Sequence, residues 1–100
     1  MMHTPTLDDF APLRGERFAL TADPAPGSSP LSAELLEASA LPQAPLNGRQ
    51  AFSLIFTGPP APVLPQRTYQ LAHPQLPPLD VFLVPVAADA AGVRYQAIFS

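Results

Sequence analysis

Fifteen prolines punctuate these 100 residues, and the intervals between them limit what the chain can fold into. Proline lacks an amide donor and its ring collides with the preceding helical turn, so it breaks helices and is excluded from central strands. Regular structure is therefore expected in the proline-free runs Leu13–Asp23, Leu31–Leu41, Leu46–Gly58, Gln66–His73, Leu79–Val84 and Val86–Ser100. Most of these runs are strand-sized, which argues against a helical bundle.

Inside the runs the apolar residues recur with period two, the signature of a strand with one buried face. Phe18 and Leu20 share a face opposite Arg17 and Thr21. Phe52, Leu54 and Phe56 point one way while Ser53 and Thr57 point the other, and Tyr69 pairs with Leu71. Val93, Tyr95, Ala97 and Phe99 fall together near the end of the chain. The run Val81–Val84 is apolar on both faces, as in a strand covered on both sides. Pro85 then requires a bulge or an edge position. Asn47-Gly48 and Asp89-Ala90-Ala91-Gly92 are turn signals. The second predicts a C-terminal hairpin of Asp80–Ala87 with Val93–Phe99. The expected fold is all-β: a small antiparallel β-barrel or β-sandwich of about six strands, with one short helical turn at Leu7–Leu13 whose Phe10 and Leu13 plug one end of the core.

One segment carries conflicting signals. Ser29 as N-cap, Pro30 at the first helical position, and Leu31, Glu34, Leu35 and Ala38 at helical spacing all favour a helix. As a strand, Leu31, Ala33 and Leu35 would face inward until Leu36 breaks the alternation.

Composition bounds the rest. A chain with 47% hydrophobic residues, 13% charged residues and a net charge of −3 is not of the disordered type, and its length fits a single β domain over 1–100, with 1–6 as a flexible terminus. The absence of cysteine excludes disulfides, thiolate metal sites and cysteine nucleophiles. Met1–Phe10 has neither the basic nor the apolar region of a secretory signal, and no apolar run is long enough for a membrane-spanning helix. A cytoplasmic location is the default expectation, with signal-less export as part of an assembly left open. All five basic residues (Arg14, Arg17, Arg49, Arg67 and Arg94) are arginine, which fits a coding bias that raises Ala, Pro and Arg together. They are scattered and form no basic cluster, so nucleic acid is not an expected partner.

A search for catalytic constellations returns missing parts. A triad needs a histidine inside the fold, and only His73 qualifies, since His3 lies near the terminus. Ser53 lies between Phe52 and Leu54 without a glycine-flanked elbow. Asp8-Asp9 suits helix capping, and Glu34 and Glu37 suit a surface. Two distant histidines without cysteine or calcium-loop spacing supply no metal site, and five glycines form no phosphate loop. The expectation is no catalytic residue, no cofactor, no metal and no membrane partner. The sharpest motif is Pro62, Pro65 and Arg67 in the link Gly58–Arg67, which fits the P-x-x-P-x-basic spacing recognised on a polyproline helix. It equally fits a stiff connection between strands.

Four blocks of residues carry a family resemblance. They are Phe10-Ala11-Pro12-Leu13-Arg14-Gly15-Glu16-Arg17-Phe18; Arg49-Gln50-Ala51-Phe52-Ser53-Leu54-Ile55-Phe56-Thr57-Gly58-Pro59; Leu64-Pro65-Gln66-Arg67-Thr68-Tyr69-Gln70-Leu71-Ala72-His73-Pro74; and Phe82-Leu83-Val84-Pro85-Val86 with Tyr95-Gln96-Ala97-Ile98-Phe99. In order and spacing the chain resembles the bacterial family of domain of unknown function 6916. It departs from the family's pattern at Leu76-Pro77-Pro78, where a Leu-Gly pair is usual. The resemblance implies a strand at Leu31–Ser39. It carries no assigned activity. Members of the family are often encoded beside phage-tail-collar-like proteins, which implies a part in a tail-like or fibre-like assembly.

Two functional readings follow. In the first, the domain is a non-catalytic structural or protein-interaction module that docks on a partner protein or on copies of itself. Pro62, Pro65 and Arg67 are candidate contacts, as are Tyr95 and Phe99 if the last strand lies at a sheet edge. In the second, it is a small-molecule-binding barrel or weak hydrolase with Arg17, Arg49, Tyr69 and His73 lining one mouth.

Overall fold

A computed structural model describes residues 6–21, 31–42, 51–61 and 63–99. The chain opens with a helical turn, α1 (Leu7–Phe10), continued by a 3-10 turn over Ala11–Leu13 that holds Pro12. The Thr6 amide donates to the Asp9 carboxylate at 2.9 Å, and the Asp9 amide returns to the Thr6 carbonyl at 3.0 Å. This reciprocal cap satisfies donors that a helix start otherwise leaves open, and it gives Asp9 its role.

Six strands follow: β1 (Arg17–Thr21), β2 (Leu31–Ala40), β3 (Phe52–Gly58), β4 (Arg67–His73), β5 (Leu76–Asp89) and β6 (Gly92–Phe99). They pair antiparallel in the order β1-β2-β3-β6-β5-β4, and β4 returns to β1 to close a barrel. The inward set is the period-two set: Phe18, Leu20, Leu54, Phe56, Tyr69, Leu71, Val93, Tyr95 and Ala97 are all buried in the lumen. The lumen is filled by side chains, as expected of a small barrel.

Barrel closure decides the last strand's position. β6 is bonded to β3 along Val93–Phe99 and to β5 along Gly92–Ala97, so it is an interior strand rather than an edge.

Segment 31–40 is a strand, and the residue that upset its alternation explains the conflict. Leu31, Ala33 and Leu35 face inward, and the register with β3 then shifts between Leu35 and Glu37. Leu36 is the extra residue of a β-bulge, which resets the side-chain phase. A bulged strand of this kind mimics helical spacing over one turn.

β5 corrects the proline map. It runs for 14 residues through Pro77 and Pro78, where a break was expected, and through Pro85, where the register shift to Ala87 supplies the expected bulge. Its first half pairs with β4 and its second half with β6, and Leu83 is bonded to both, opposite Arg67 and Ala97. Pro77 and Pro78 precede the β6 pairing, and Pro85 follows the β4 pairing. Each proline thus occupies a stretch with one ladder, where a missing donor is tolerated. Register shifts accompany them, between Leu71 and His73 on β4 and between Pro85 and Ala87 on β5. The hairpin to β6 turns at Ala90-Ala91, and the Asp89 carboxylate accepts the amides of Ala91 at 2.8 Å and Gly92 at 3.1 Å. Gly92 adopts a positive φ, and a Cβ there would collide with the Gly58 carbonyl, so this corner of the barrel admits only glycine. Asn47-Gly48, the other turn signal, lies outside the described residues.

The expected cover on both faces of Val81–Val84 is absent on one of them. Val81 and Leu83 point into the core, while Phe82 stands on the outer wall with half its surface exposed.

Candidate functional site

The two ends of the lumen are closed by segments outside the strands. At one end, α1 and the 3-10 turn insert Phe10 and Leu13 among Phe18, Phe52 and Phe99. The Phe10 ring lies 5.6–6.4 Å from those three rings, in tilted geometry, and Phe52 stacks on Phe99 at 4.7 Å. His73 completes this end, its ring 4.7 Å from that of Phe18. Period two along Tyr69, Leu71 and His73 turns the imidazole inward, where it is buried.

The hydrogen bonds of His73 fix its tautomer. Nδ1 accepts the Gln75 amide at 3.0 Å, so Nε2 carries the proton and donates to Glu16 Oε1 at 2.8 Å. Both nitrogens of His73 are bonded, and the Glu16–His73 pair joins the entry to β1 to the β4–β5 turn as a latch. Gly15, in the left-handed region, and Glu16 extend the join: the Gly15 amide donates to the Leu35 carbonyl and the Leu35 amide to the Glu16 carbonyl. Sequence reasoning gave Glu16 no role. Its partner lies 57 residues away, and only the barrel register brings them together.

The opposite end is closed by the link between β3 and β4. The Leu64 amide donates to the Tyr95 hydroxyl at 2.9 Å, and the Tyr69 hydroxyl donates to the Pro65 carbonyl. Burial pushes the Tyr69 phenol above its ordinary value; the nearby Arg67 opposes this, and Tyr95 adds a smaller push upward.

The expected residues are therefore dispersed. Tyr69 and His73 both point into the lumen but stand at its opposite ends. Arg17 lies on the outer wall, and Arg49 is outside the described residues. The described three, Arg17, Tyr69 and His73, do not line one mouth. Of the proline motif, Pro62 is outside the described residues, Pro65 spends its carbonyl on Tyr69, and Arg67 stands 6.0 Å from the Tyr69 ring centre. Tyr95 is buried with its hydroxyl engaged, and Phe99 is half-buried against Phe52.

Among the described residues, the exposed large apolar side chains are Val63 in the link and, on the outer wall, Phe82, Val86 and Ile98, the last three at 51%, 50% and 51%. The pairing of Leu83 with Ala97 makes Phe82 and Ile98 cross-strand neighbours, and the half-buried Val84 and Ile55 follow along the same face. A row of polar residues crosses four strands in register, two of them the β3 and β6 that also carry Ile55 and Ile98: Arg17 opposite Glu34, Glu34 opposite Thr57, and Thr57 opposite Arg94. Among the described residues there is no cluster of three metal-ligating side chains, and no helix is long and apolar enough to cross a membrane.

No curated protein and no solved structure matches the chain. A family model described as a domain of unknown function, number 6916, matches residues 5–99, a span that runs from the helical plug through the last strand. The chain belongs to the domain of unknown function 6916 family.

Proposed function

We propose that this domain is a non-catalytic structural or protein-interaction module, an accessory of a tail-like or fibre-like assembly. The observation that carries the reading is the apolar ridge of Phe82, Ile98 and Val86 on the outer wall of β5 and β6. Adjacent large apolar side chains held in solvent on a rigid sheet are a characteristic of contact surfaces. Because β6 is bonded on both sides, docking here uses side chains on a sheet face, and strand exchange at an edge is not the mode. The assembly setting rests on the company the family keeps in genomes.

The test is co-expression with the protein encoded by the adjacent gene, followed by mass determination of the purified complex. The expected result is a complex of fixed stoichiometry that Phe82→Glu dissolves while the variant keeps its Tm. A wild-type chain that stays monomeric at high concentration and leaves its neighbour unbound would overturn the reading.

A further inference from the structure

The polar row on β1 and β2 borders a hollow. Between the long side chains of Arg17 and Glu34 and the small residues Gly58, Pro59 and Ala91 the wall recedes into a trough of about 390 Å³. A second hollow of about 220 Å³ continues it along Arg17, Ala19, Leu31 and Ser32. The concavity follows from sequence: small residues at the β3 exit and the β5–β6 turn stand next to long polar ones on β1 and β2.

The charges of this trough are held apart. Opposite charges at directly paired positions of an antiparallel ladder ordinarily meet. Here Arg17 Nη1 turns to the Ser32 hydroxyl at 3.5 Å, and among the described residues no ion pair joins Arg17 to Glu34. Glu34 is half-buried at the trough wall. A guanidinium and a carboxylate thus line one hollow, with the hydroxyls of Ser32 and Thr57 beside them.

We propose that this trough docks an extended segment of a partner protein that carries an acidic and a basic residue two positions apart. The inference rests on the reading of the domain as an interaction module and supplies the partner's chemistry. Alternate residues of an extended chain share a face about 6.6 Å apart. Paired residues of an antiparallel ladder lie about 4.5–5.5 Å apart at Cα, and the Arg17 guanidinium leans toward Ser32, not toward Glu34. The segment's carboxylate meets Arg17 and its base meets Glu34, while its backbone has the two hydroxyls to bond. A ligand of single charge leaves one of the two groups unmatched. A free amino acid fills only part of the trough's 390 Å³.

The probe is the capped tripeptide acetyl-Glu-Ala-Lys-amide, titrated into ¹⁵N-labelled protein and followed by amide shifts. Saturable shifts at Arg17, Ser32, Glu34, Thr57 and Ala91 are expected. Binding should weaken about tenfold in Arg17→Gln and in Glu34→Gln, both of which point outward and should keep the wild-type Tm. Acetyl-Gln-Ala-Gln-amide and glycine should bind no more than weakly at the same site. The proposal is overturned if the uncharged peptide binds as well, if glycine alone reproduces the shifts, or if no saturable shift develops at tens of millimolar. The same variants separate this inference from the reading beneath it. A complex with the neighbouring gene's product that survives Glu34→Gln unweakened removes the trough and leaves the module reading standing. Tripeptide binding without that complex keeps the trough and removes the assembly role.

Discussion

The two ends of this barrel solve the same problem with different chemistry. Any small barrel must keep water out of its lumen at both rims. One rim is filled by hydrocarbon: Phe10, fully buried, wedges among Phe18, Phe52 and Phe99. The other is covered by a proline-rich link whose backbone is tied to two tyrosine hydroxyls. A plug gains from the area it buries, and its contribution scales with the volume of the side chain. A lid tied by hydrogen bonds gains only the difference between bonding to protein and bonding to water. The difference predicts that the first rim dominates global stability and the second governs local opening.

The largest expected effect follows directly. Phe10→Ala should cost about 3–5 kcal/mol in urea unfolding, because it deletes a fully buried ring and leaves a cavity that a rigid barrel cannot collapse. Against a total of about 5–15 kcal/mol for a typical domain, the variant should be marginal. A loss below about 1 kcal/mol would mean that the helical turn merely rests on the rim, and the comparison between the ends would fail.

At the tyrosine end the effects are smaller and local. Tyr95→Phe strands the Leu64 amide and Tyr69→Phe strands the Pro65 carbonyl, and each should cost about 1 kcal/mol. Because both bonds hold one short link, the double variant should cost less than the sum of the singles. Amide exchange distinguishes the ends more sharply than stability does. Tyr95→Phe should speed exchange at Leu64 and leave the β3 and β6 amides as slow as in the wild type, whereas Phe10→Ala should speed them all.

Alkali probes the same end. The Tyr69 phenol is raised above its ordinary value of 10.0, chiefly by burial, so the folded state holds the proton more tightly than the unfolded chain does. The stability linked to that proton is fully present below pH 10 and is lost as the pH rises through the folded value. A phenolate also cannot donate to the Pro65 carbonyl. Unfolding free energy should therefore fall more steeply above pH 10 in the wild type than in Tyr69→Phe, measured by urea titrations at stepped pH. Equal slopes would mean that the hydroxyl is open to water.

How far each end was legible in the sequence follows the same division. The plug was readable because its parts are local: Phe10 and Leu13 are near neighbours beside a capping acid, and apolar spacing alone places them. The strands were readable because period two survives on four of them, from Phe18 and Leu20 of β1 to Tyr95 and Ala97 of β6. Leu36 was noticed and could not be interpreted, since a bulge is a property of pairing and the partner strand is needed to see it. Pro77 and Pro78 depart from the proline map for a related reason: whether a missing donor matters depends on which neighbour is bonded at that point, and Leu83 is where the neighbour changes. The outer apolar face of Val81–Val84 could not be told from a covered one, because composition does not record what lies outside the barrel. Tyrosine-to-link bonds, the Glu16–His73 latch and the Arg17–Glu34 trough all depend on register between distant segments. Local patterning along the chain does not display that register.

The latch offers the smallest and most discriminating comparison. Glu16 is half exposed while His73 is buried, and the two meet at 2.8 Å beside the hydrocarbon plug. If the bond is the neutral one that the tautomer implies, Nε2–H donating to an oxygen, then an amide oxygen can replace the carboxylate. Glu16→Gln should then cost no more than about 0.5 kcal/mol, in the range of a solvent-screened surface pair. Glu16→Ala removes the acceptor from a buried donor and should cost about 1–2 kcal/mol. Urea unfolding of both variants at neutral pH measures the gap. If Gln costs as much as Ala, the carboxylate's charge, and not an acceptor oxygen alone, is what holds the imidazole. The first rim would then close by a charge-assisted bond as well as by hydrocarbon, and the contrast between the two ends would narrow to the aromatic plug alone.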